Sequence, residues 1–506
     1  MKTDHLIRAL GNPRKTELGY KQFIKANRKQ PWAGIDRLDA LAELKCLVDT
    51  GRIPAPAQRR GTNTHVHTNA SFSIFASPSE AAWQGFQAGL DVLGINDHYT
   101  IGGHDEFRQA CTILGLRATF SMEAVALSAR LQQAGVRCND PGNPGRTYLS
   151  AKGVMHDLPG GSQGALDLQT MRESLMRRNR EIVNKLNTML AVMQPALRLT
   201  FDDVLALTPH GNTTERHVCQ ALAELIDRSL PAARVPFLKQ LCGEFAEQEL
   251  STSAGYQNML RATLLKAGKP AYVEESPDAF ISWERMIAMY REYGAIPSYP
   301  VLGNPVVELE EDLEKLFAEI ESCGLYAIEV IPHRNTPERL AAILDAAAKH
   351  GFPVFNGTEH NTKSPMPLLD KLSASDEFIG QFMLGADVLI GHQVMSQYAG
   401  MGYLDPAGGL SVRDRARGLR LFASAGRMVQ KPETLSMLKK LGSEAAARLL
   451  VGLHEVAPAQ GRWSILARAR IKPNQLAEIS VASGAVTFGS PDAAERLKNW
   501  AEENVV

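Results

Sequence analysis

Apolar positions near the start of the chain recur at the spacing of a helix. Phe23, Ile35, Leu38, Leu41 and Leu44 follow this pattern before the chain reaches a glycine and the proline-rich segment IPAP. Apolar residues three and four positions apart form one face of a helix, and Gly and Pro end such a pattern. The pattern therefore predicts a helical N-terminal extension over residues 1–60.

From residue 61 onward, the pattern alternates between strand and helix. DVLGINDH and RATFSMEAVAL are typical of strands, and SPSEAAWQGFQAGL and HDEFRQACTILGL are typical of helices. The alternation stops at about 132–275, where helical segments dominate, and it resumes with the strands AIPSYPVL, LYAIEVIPH and FPVFNGTEHN, separated by helices. Such alternation indicates parallel strands joined by helices.

These patterns predict an α/β fold with three regions. A barrel-like core spans residues 61–400 and carries a mostly helical insertion at about 132–275. A mainly helical C-terminal region follows over residues 401–506, with one candidate strand pair near 476–488.

Composition narrows the function classes. The 506 residues include 55 Lys and Arg and 55 Asp and Glu, so no net positive charge favours nucleic acid, and we expect a small-molecule substrate. The six cysteines form no CxxC pair, which argues against a zinc knuckle or a dense disulfide framework. No run approaches the ~18 apolar residues of a membrane span, and the first residues, MKTDHLIRALGNPRK, lack the apolar stretch of a signal peptide. We expect a cytoplasmic protein without membrane contact, for which a homo-oligomer remains open.

Histidines and carboxylates lie at the ends of several predicted strands. His65 and His67 are one residue apart in GTNTHVHTNASFS, so a strand directs both side chains to one face. The carboxyl ends of parallel strands meet at one edge of a barrel. Imidazole nitrogen and carboxylate oxygen suit Zn, Mn or Fe. The candidate metal ligands at these strand ends are His65, His67, Asp97, His98, Glu123, Glu359 and His360.

Four segments resemble a known family. THVHTNASFS, LGINDHYTIGGHDEF and FSMEAVAL resemble the first three metal motifs of the polymerase and histidinol phosphatase (PHP) superfamily. LYAIEVIPHRNTPERLAAILDAAAKHGFPVFNGTEHN is similar to its last barrel segment. The resemblance implies a distorted (β/α)7 barrel of parallel strands, a centre of two or three divalent ions and, most often, phosphoester hydrolysis.

The resemblance also implies roles for the ligands. His65 and His67 would hold one ion together with Glu123, which would bridge to a second ion. His98 would bind further along the cluster, and Asp97 would be either a ligand or a partner that orients an imidazole.

Two positions depart from the family pattern. The closing motif of the family, Gly-Ser-Asp-x-His, is here Gly357-Thr358-Glu359-His360-Asn361. Glu359 takes the place of the aspartate, and His360 replaces the histidine only if the strand end shifts. Tyr299 stands where the family usually has a histidine before proline, and we expect it to act as an acid or to bind substrate.

Other basic residues are candidates for substrate binding. Arg216 and His217 lie at a predicted helix start, and a similar pair occurs in phosphoesterases of the superfamily, where the arginine contacts phosphate. His333 and Arg334 follow a strand and face the same edge by position. His392 follows an apolar run and is interpreted as a buried structural residue.

The function expected from these residues is that of a metal-dependent phosphoesterase acting on a small phosphorylated metabolite. Metal-activated water would attack, Arg216 or Arg334 would bind the phosphate, and His98, Tyr299 or His360 would protonate the leaving group. One alternative keeps the metals but acts on a non-phosphorylated carbohydrate or small carboxylate, as a hydrolase, isomerase or lyase. The other is a metal-binding regulatory protein without catalysis.

Overall fold

The computed structural model describes residues 3–17, 19–56, 60–303, 305–428, 432–456 and 471–504. Within them, seven strands form one sheet in chain order. The strands are β1 (Thr62–Val66), β2 (Val92–His98), β3 (Arg117–Leu127), β4 (Arg146–Lys152), β5 (Ile296–Val301), β6 (Ile328–Val330) and β7 (Val354–Asn356). After β7, Glu359 pairs with Val66 in the parallel sense, and this bridge brings the last strand back to the first.

Six of the seven strands run in the same direction. β1, β2 and β3 pair in parallel, as do β5, β6 and β7, whereas β4 is antiparallel to both β3 and β5. The predicted distorted barrel of seven strands is confirmed, but the expectation that all of them are parallel is wrong for β4. This strand lies inside the range predicted as insertion.

Helices surround the first half of the barrel. In the described part, α1 (Thr3–Ala9), α2 (Tyr20–Asn27) and α3 (Arg37–Asp49) precede β1. Between the early strands lie α4 (Pro78–Gln87), α5 (His104–Leu114) and α6 (Ala129–Gln133). The start of α4 follows from its sequence, since Ser77 accepts a hydrogen bond from the Glu80 backbone and Pro78 fits the first turn.

A helical subdomain is inserted between β4 and β5. It consists of α7 (Gln163–Met193), α8 (Phe201–Leu205), α9 (Glu215–Ser229), α10 (Arg234–Cys242) and α11 (Ser253–Leu260). These helices bury their own apolar cluster, which includes Ile182, Leu186, Leu222 and Leu260. The mostly helical character predicted for this region is therefore present outside β4.

The second half of the barrel carries α12 (Trp283–Glu292), α13 (Glu308–Glu311), α14 (Leu313–Ser322) and α15 (Pro337–His350). The segment LEEDLEKLFAEIESCG, residues 309–324, has the pattern of one continuous helix. The chain instead breaks at Asp312, which has an extended backbone and accepts a hydrogen bond from the Lys315 backbone as the cap of α14.

The C-terminal part covers the amino ends of the parallel strands. It consists of α16 (Ile379–Ala399), α17 (Arg415–Met428), α18 (Pro432–Leu441), α19 (Ser443–Val456), the hairpin β8 (Ile479–Ala482) and β9 (Ala485–Phe488), and α20 (Pro491–Asn504). Asp387 on α16 pairs with Arg117 at the start of β3. The Gly385 backbone lies so close to β7 that a Cβ there would be 1.9 Å from the Val354 oxygen. This end of the barrel is therefore closed, and the opposite end carries the candidate site.

In the described part of the chain, no helix combines the length and the apolarity needed to span a membrane. The hairpin β8–β9 agrees with the strand pair expected near 476–488.

Candidate metal centre

Three neighbouring strands bring the predicted ligands to the carboxyl edge of the barrel. His65 lies on β1 and His67 directly follows it, His98 ends β2, and Glu123 lies on β3. His98 and Glu123 are direct partners in the β2–β3 register. The β1–β2 register shifts between Asn63 and Val66, and such an irregularity changes the direction of the side chains that follow.

The side chains of His65, His67 and Glu123 converge on one point. The Nε2 atoms of His65 and His67 are 3.1 Å apart, and they lie 3.6 and 3.2 Å from the two carboxylate oxygens of Glu123. His98 Nδ1 lies 3.1 Å from Glu123 Oε1, and its ring is 4.5 Å from that of His67. Among the described residues, His65, His67 and Glu123 form the group whose ligand atoms could hold one metal ion.

Buried polar atoms around this point lack partners of their own. His98 Nδ1 and Asn96 Oδ1 are both buried without a hydrogen bond, although the Asn96 amide donates towards His65 Nε2 over 2.9 Å. The imidazole nitrogens of His65 and His67, the Glu123 carboxylate and the unpaired His98 Nδ1 are the donor set that a divalent ion satisfies. The residues present therefore fit a divalent cation.

A hydrogen-bond chain fixes the orientation of His67. Its Nδ1 lies 3.2 Å from Ser71 Oγ, which donates to Asp97 Oδ1 over 2.6 Å. Asp97 also accepts from the backbone and the hydroxyl of Thr68, each over 2.7 Å. Asp97 therefore lies behind His67 rather than in the cluster, so of its two predicted roles the orienting one agrees with the geometry.

His65 is oriented by a residue that was not predicted. Its Nδ1 lies 2.7 Å from Glu329 Oε1 on β6, so that the Nε2 atom faces the cluster. Lys152 Nζ on β4 lies 2.7 Å from the same oxygen, and all three side chains are fully buried.

The contacts among the buried histidines and carboxylates shift the pKa values of His65 and Glu123. Burial lowers the pKa of His65, but Glu329 and Glu123 outweigh burial and raise that pKa to about 9. Burial acts to raise the pKa of Glu123, and His65 and His98 hold it well below its usual value of 4.5. The Glu123 carboxylate is therefore ionised at neutral pH and attracts cations.

Glu359 is near the centre but is paired with an arginine. Its backbone bonds to His65 and His67, whereas its carboxylate accepts two hydrogen bonds from Arg334, over 2.9 and 2.5 Å, and one from Asn361 over 3.0 Å. Arg334 thus binds a carboxylate of the chain, and Glu359 lies outside the three-residue cluster.

The structure contradicts two predicted roles. His360 directs its ring away from the centre, because Nδ1 lies 2.7 Å from Thr358 Oγ1 and Nε2 lies 3.1 Å from the Met366 carbonyl. Tyr299 is fully buried in the core, and its hydroxyl lies 3.3 Å from the Glu310 carboxylate. Burial and Glu310 raise the pKa of Tyr299 well above its usual value. Neither His360 as a ligand nor Tyr299 as an acid agrees with these positions.

A cavity of about 260 Å³ lies between His98, at the edge of the centre, and the inserted helices. His98 and Asn361 line it from the barrel, and Arg216 lines it from α9. Arg216 donates to Asn258 Oδ1 over 3.1 Å and has no carboxylate in salt-bridge contact within the described residues. Burial, followed by the charge of Arg261, lowers the pKa of Arg216, so an anion here would relieve an unfavourable charge.

The other two arginines of the cavity, Arg178 and Arg261, share the single carboxylate of Glu215. Arg178 lies 2.7 Å from one oxygen of Glu215, and Arg261 lies 2.7 Å from the other. Tyr148 at the start of β4 lines the same cavity, with its ring 6.1 Å from that of His98. Arg216 is therefore the guanidinium of this cavity that is available to a ligand.

The remaining histidines lie outside the cluster. His217 is buried, accepts a hydrogen bond from the Thr214 backbone as part of the α9 cap, packs edge-on against Phe72, and is not among the residues that line the cavity. Its substrate role stays a prediction. His333 is exposed. His392 donates to the Gly294 carbonyl over 2.9 Å and accepts from the Tyr403 backbone, as a buried structural residue does.

Comparisons with known proteins include two distant structural likenesses among the solved structures that match. No protein-family model matches the chain, and no curated protein gives a significant match. A protein from Bifidobacterium adolescentis, provisionally described as a metal-dependent phosphoesterase, is similar with a TM-score of 0.45 and 22% identity, over 65% of this chain and 97% of that one. An amidohydrolase from Chromobacterium violaceum, solved with bound sulfate and no metal, gives a TM-score of 0.41 and 15% identity over 63% and 96%.

Proposed function

We propose that this chain is a metal-dependent hydrolase, specifically a phosphoesterase that acts on a small phosphorylated molecule. One observation carries the proposal: His98, whose Nδ1 lies 3.1 Å from Glu123 of the His65, His67 and Glu123 cluster, lines the same cavity as Arg216, which has no carboxylate partner within the described residues. A cation-binding group and an unpaired guanidinium at one cavity suit an anionic group held between them.

Each residue of the site has a part in this proposal. His65, His67 and Glu123 hold the first ion, and His98, which shares a Glu123 oxygen, is the ligand candidate for a second. When bound, such an ion would polarise a phosphoryl oxygen and lower the pKa of an attacking water. Arg216 binds the non-bridging oxygens of the phosphate and fixes its orientation.

The proton for the leaving group has fewer candidate sources than the sequence indicated. His98 lines the cavity with 19% of its side chain exposed, whereas Tyr299 and His360 point elsewhere. His98 is therefore assigned either as a ligand or as the proton donor. Tyr148, on the same wall of the cavity, is available to bind the substrate.

The size of the cavity supports a small substrate. About 260 Å³ accommodates a phosphorylated metabolite, whereas a polymer needs an open groove. The balance of 55 basic and 55 acidic residues adds no general attraction for nucleic acid. The cytoplasm remains the expected location, and zinc, manganese and iron remain the expected metals.

An activity screen tests the proposal. Protein stripped of metal and then supplied with Zn, Mn or Fe is assayed with an aryl phosphate, and in parallel with sugars and lactones. Metal-dependent release of phosphate, lost in E123Q, is the expected result. Turnover of only the non-phosphorylated compounds would replace the proposal with the carbohydrate or carboxylate alternative. Metal binding without any turnover would favour the regulatory protein.

A further inference from the structure

A buried ion pair lies beneath the candidate metal centre. Lys152 Nζ and Glu329 Oε1 are 2.7 Å apart, and neither side chain is exposed. The pair crosses the interior of the barrel, because β4 and β6 are not neighbours and β5 lies between them. Ser150 adds a hydrogen bond to the second oxygen of Glu329 over 3.2 Å.

Burying such a pair costs free energy of desolvation, so a gain in stability alone does not explain it. Removing two charges from water costs several kcal/mol per ion, and apolar residues of similar size often stabilise a core as well or better. The pair therefore needs another explanation, and its contacts supply one. Glu329 Oε1 is also 2.7 Å from His65 Nδ1, on the ring face opposite the cluster.

We propose that Glu329 and Lys152 are positioning residues that hold His65 ready to bind a divalent cation, an inference that rests on the proposed function. Glu329 accepts a hydrogen bond from Nδ1, which turns Nε2 towards His67 and Glu123, where a bound cation would take the place of a proton on that nitrogen. Lys152 donates to the same Glu329 oxygen that contacts the imidazole, and Ser150 donates to the other oxygen, so both hold the carboxylate in place. Residues from three strands of the barrel, β1, β4 and β6, thereby fix the orientation of the His65 imidazole.

Partners of this kind affect how tightly a metal is bound. Removing the group that orients a metal-binding histidine typically weakens metal affinity by about 10- to 100-fold. E329L removes both the charge and the acceptor, and we expect it to weaken affinity within this range. E329Q keeps an oxygen for His65 Nδ1, so its loss is expected to be smaller. K152M leaves Glu329 without its cation and is also expected to weaken binding.

The experiment measures zinc affinity of the full-length protein by competition with a chromogenic chelator. A second readout is the visible spectrum of the Co²⁺-loaded protein, which reports ligand geometry. D387N is the matched control, since it breaks the buried Arg117 pair at the closed end of the barrel. This control should lose stability but keep the affinity and the spectrum of the wild type.

The outcomes separate the two proposals. The positioning role is supported if both Glu329 variants bind zinc more weakly than the wild type, E329L more so than E329Q, and if their Co²⁺ spectra are altered. If E329L does not fold, E329Q and K152M decide, because both retain the side-chain volume. Wild-type affinity in folded E329Q and K152M would overturn the positioning role and leave the proposed function intact. A wild-type protein that binds no divalent ion would overturn both.

Discussion

Replacing Arg216 by glutamine tests substrate binding in the cavity. The change removes a charge that no carboxylate within the described residues neutralises, while glutamine still reaches towards Asn258. A hydrogen bond to a charged group contributes about 1.5–3 kcal/mol, which corresponds to roughly a 10- to 150-fold loss of kcat/KM. R216K keeps the charge but loses the planar fork, so an intermediate loss is expected.

The assay compares kcat/KM for an aryl phosphate with the thermal midpoint of each variant. R108Q serves as the control, because Arg108 is an exposed residue of α5 paired with Asp105. R108Q is a surface change, which usually alters stability by less than about 0.5 kcal/mol. R216Q removes a charge that burial disfavours, so neither variant should lower the midpoint much. An R216Q protein with unchanged kcat/KM would refute the assignment of Arg216 to phosphate binding.

Three further predictions concern stability and metal content. Burial raises the pKa of Glu310 from 4.5 to about 8, with the Tyr299 hydrogen bond opposing it, so the folded state favours the protonated form. The free energy of unfolding should therefore fall by a few kcal/mol between pH 4.5 and 8, and E310Q should flatten this slope in urea titrations. A Cβ at Gly391 would lie 1.8 Å from the Phe422 oxygen, so G391A should lower the free energy of unfolding by about 1–3 kcal/mol in the same titrations. An unchanged free energy of unfolding would contradict this close approach of α16 and α17. E359Q should keep the wild-type number of bound ions by elemental analysis, because Glu359 is paired with Arg334; the loss of one ion would show that Glu359 is a ligand.

Regular elements were predictable where the local pattern was strong. RATFSMEAVAL became β3 over the same residues, and α4 began after Ser77 as its capping sequence indicates. β4 was missed because seven residues with modest alternation lie among Gly, Pro and Asn, and only pairing with β3 and β5 stabilises them as a strand. Local patterns carry no information about such pairing.

The sequence predicted the site residues correctly where a side chain at the end of a strand faces the interior of the barrel edge, and incorrectly where it faces elsewhere. His65, His67, His98 and Glu123 come together as the strand order implied. The position of Tyr299 was misread because it faces the helices behind the sheet. His360 and Glu359 both have positive φ values, a conformation that a strand-based reading does not anticipate.

The partners of the ligands were missed for a different reason. Glu329 and Lys152 are single charged residues within apolar strands, AIEVIP and YLSAKG. A lone charge in a buried strand signals a partner across the barrel, but the sequence does not name that partner. Asn96 and Ser71 gave no signal beyond their polarity.

The most direct test of the account is the metal content of the wild type and of E123Q after dialysis against zinc or manganese and removal of free ions. Elemental analysis should find at least one ion per wild-type chain and a clear loss in E123Q, with both proteins folded by circular dichroism. Equal metal content in the two proteins, or none in the wild type, would contradict a cation site formed by His65, His67 and Glu123.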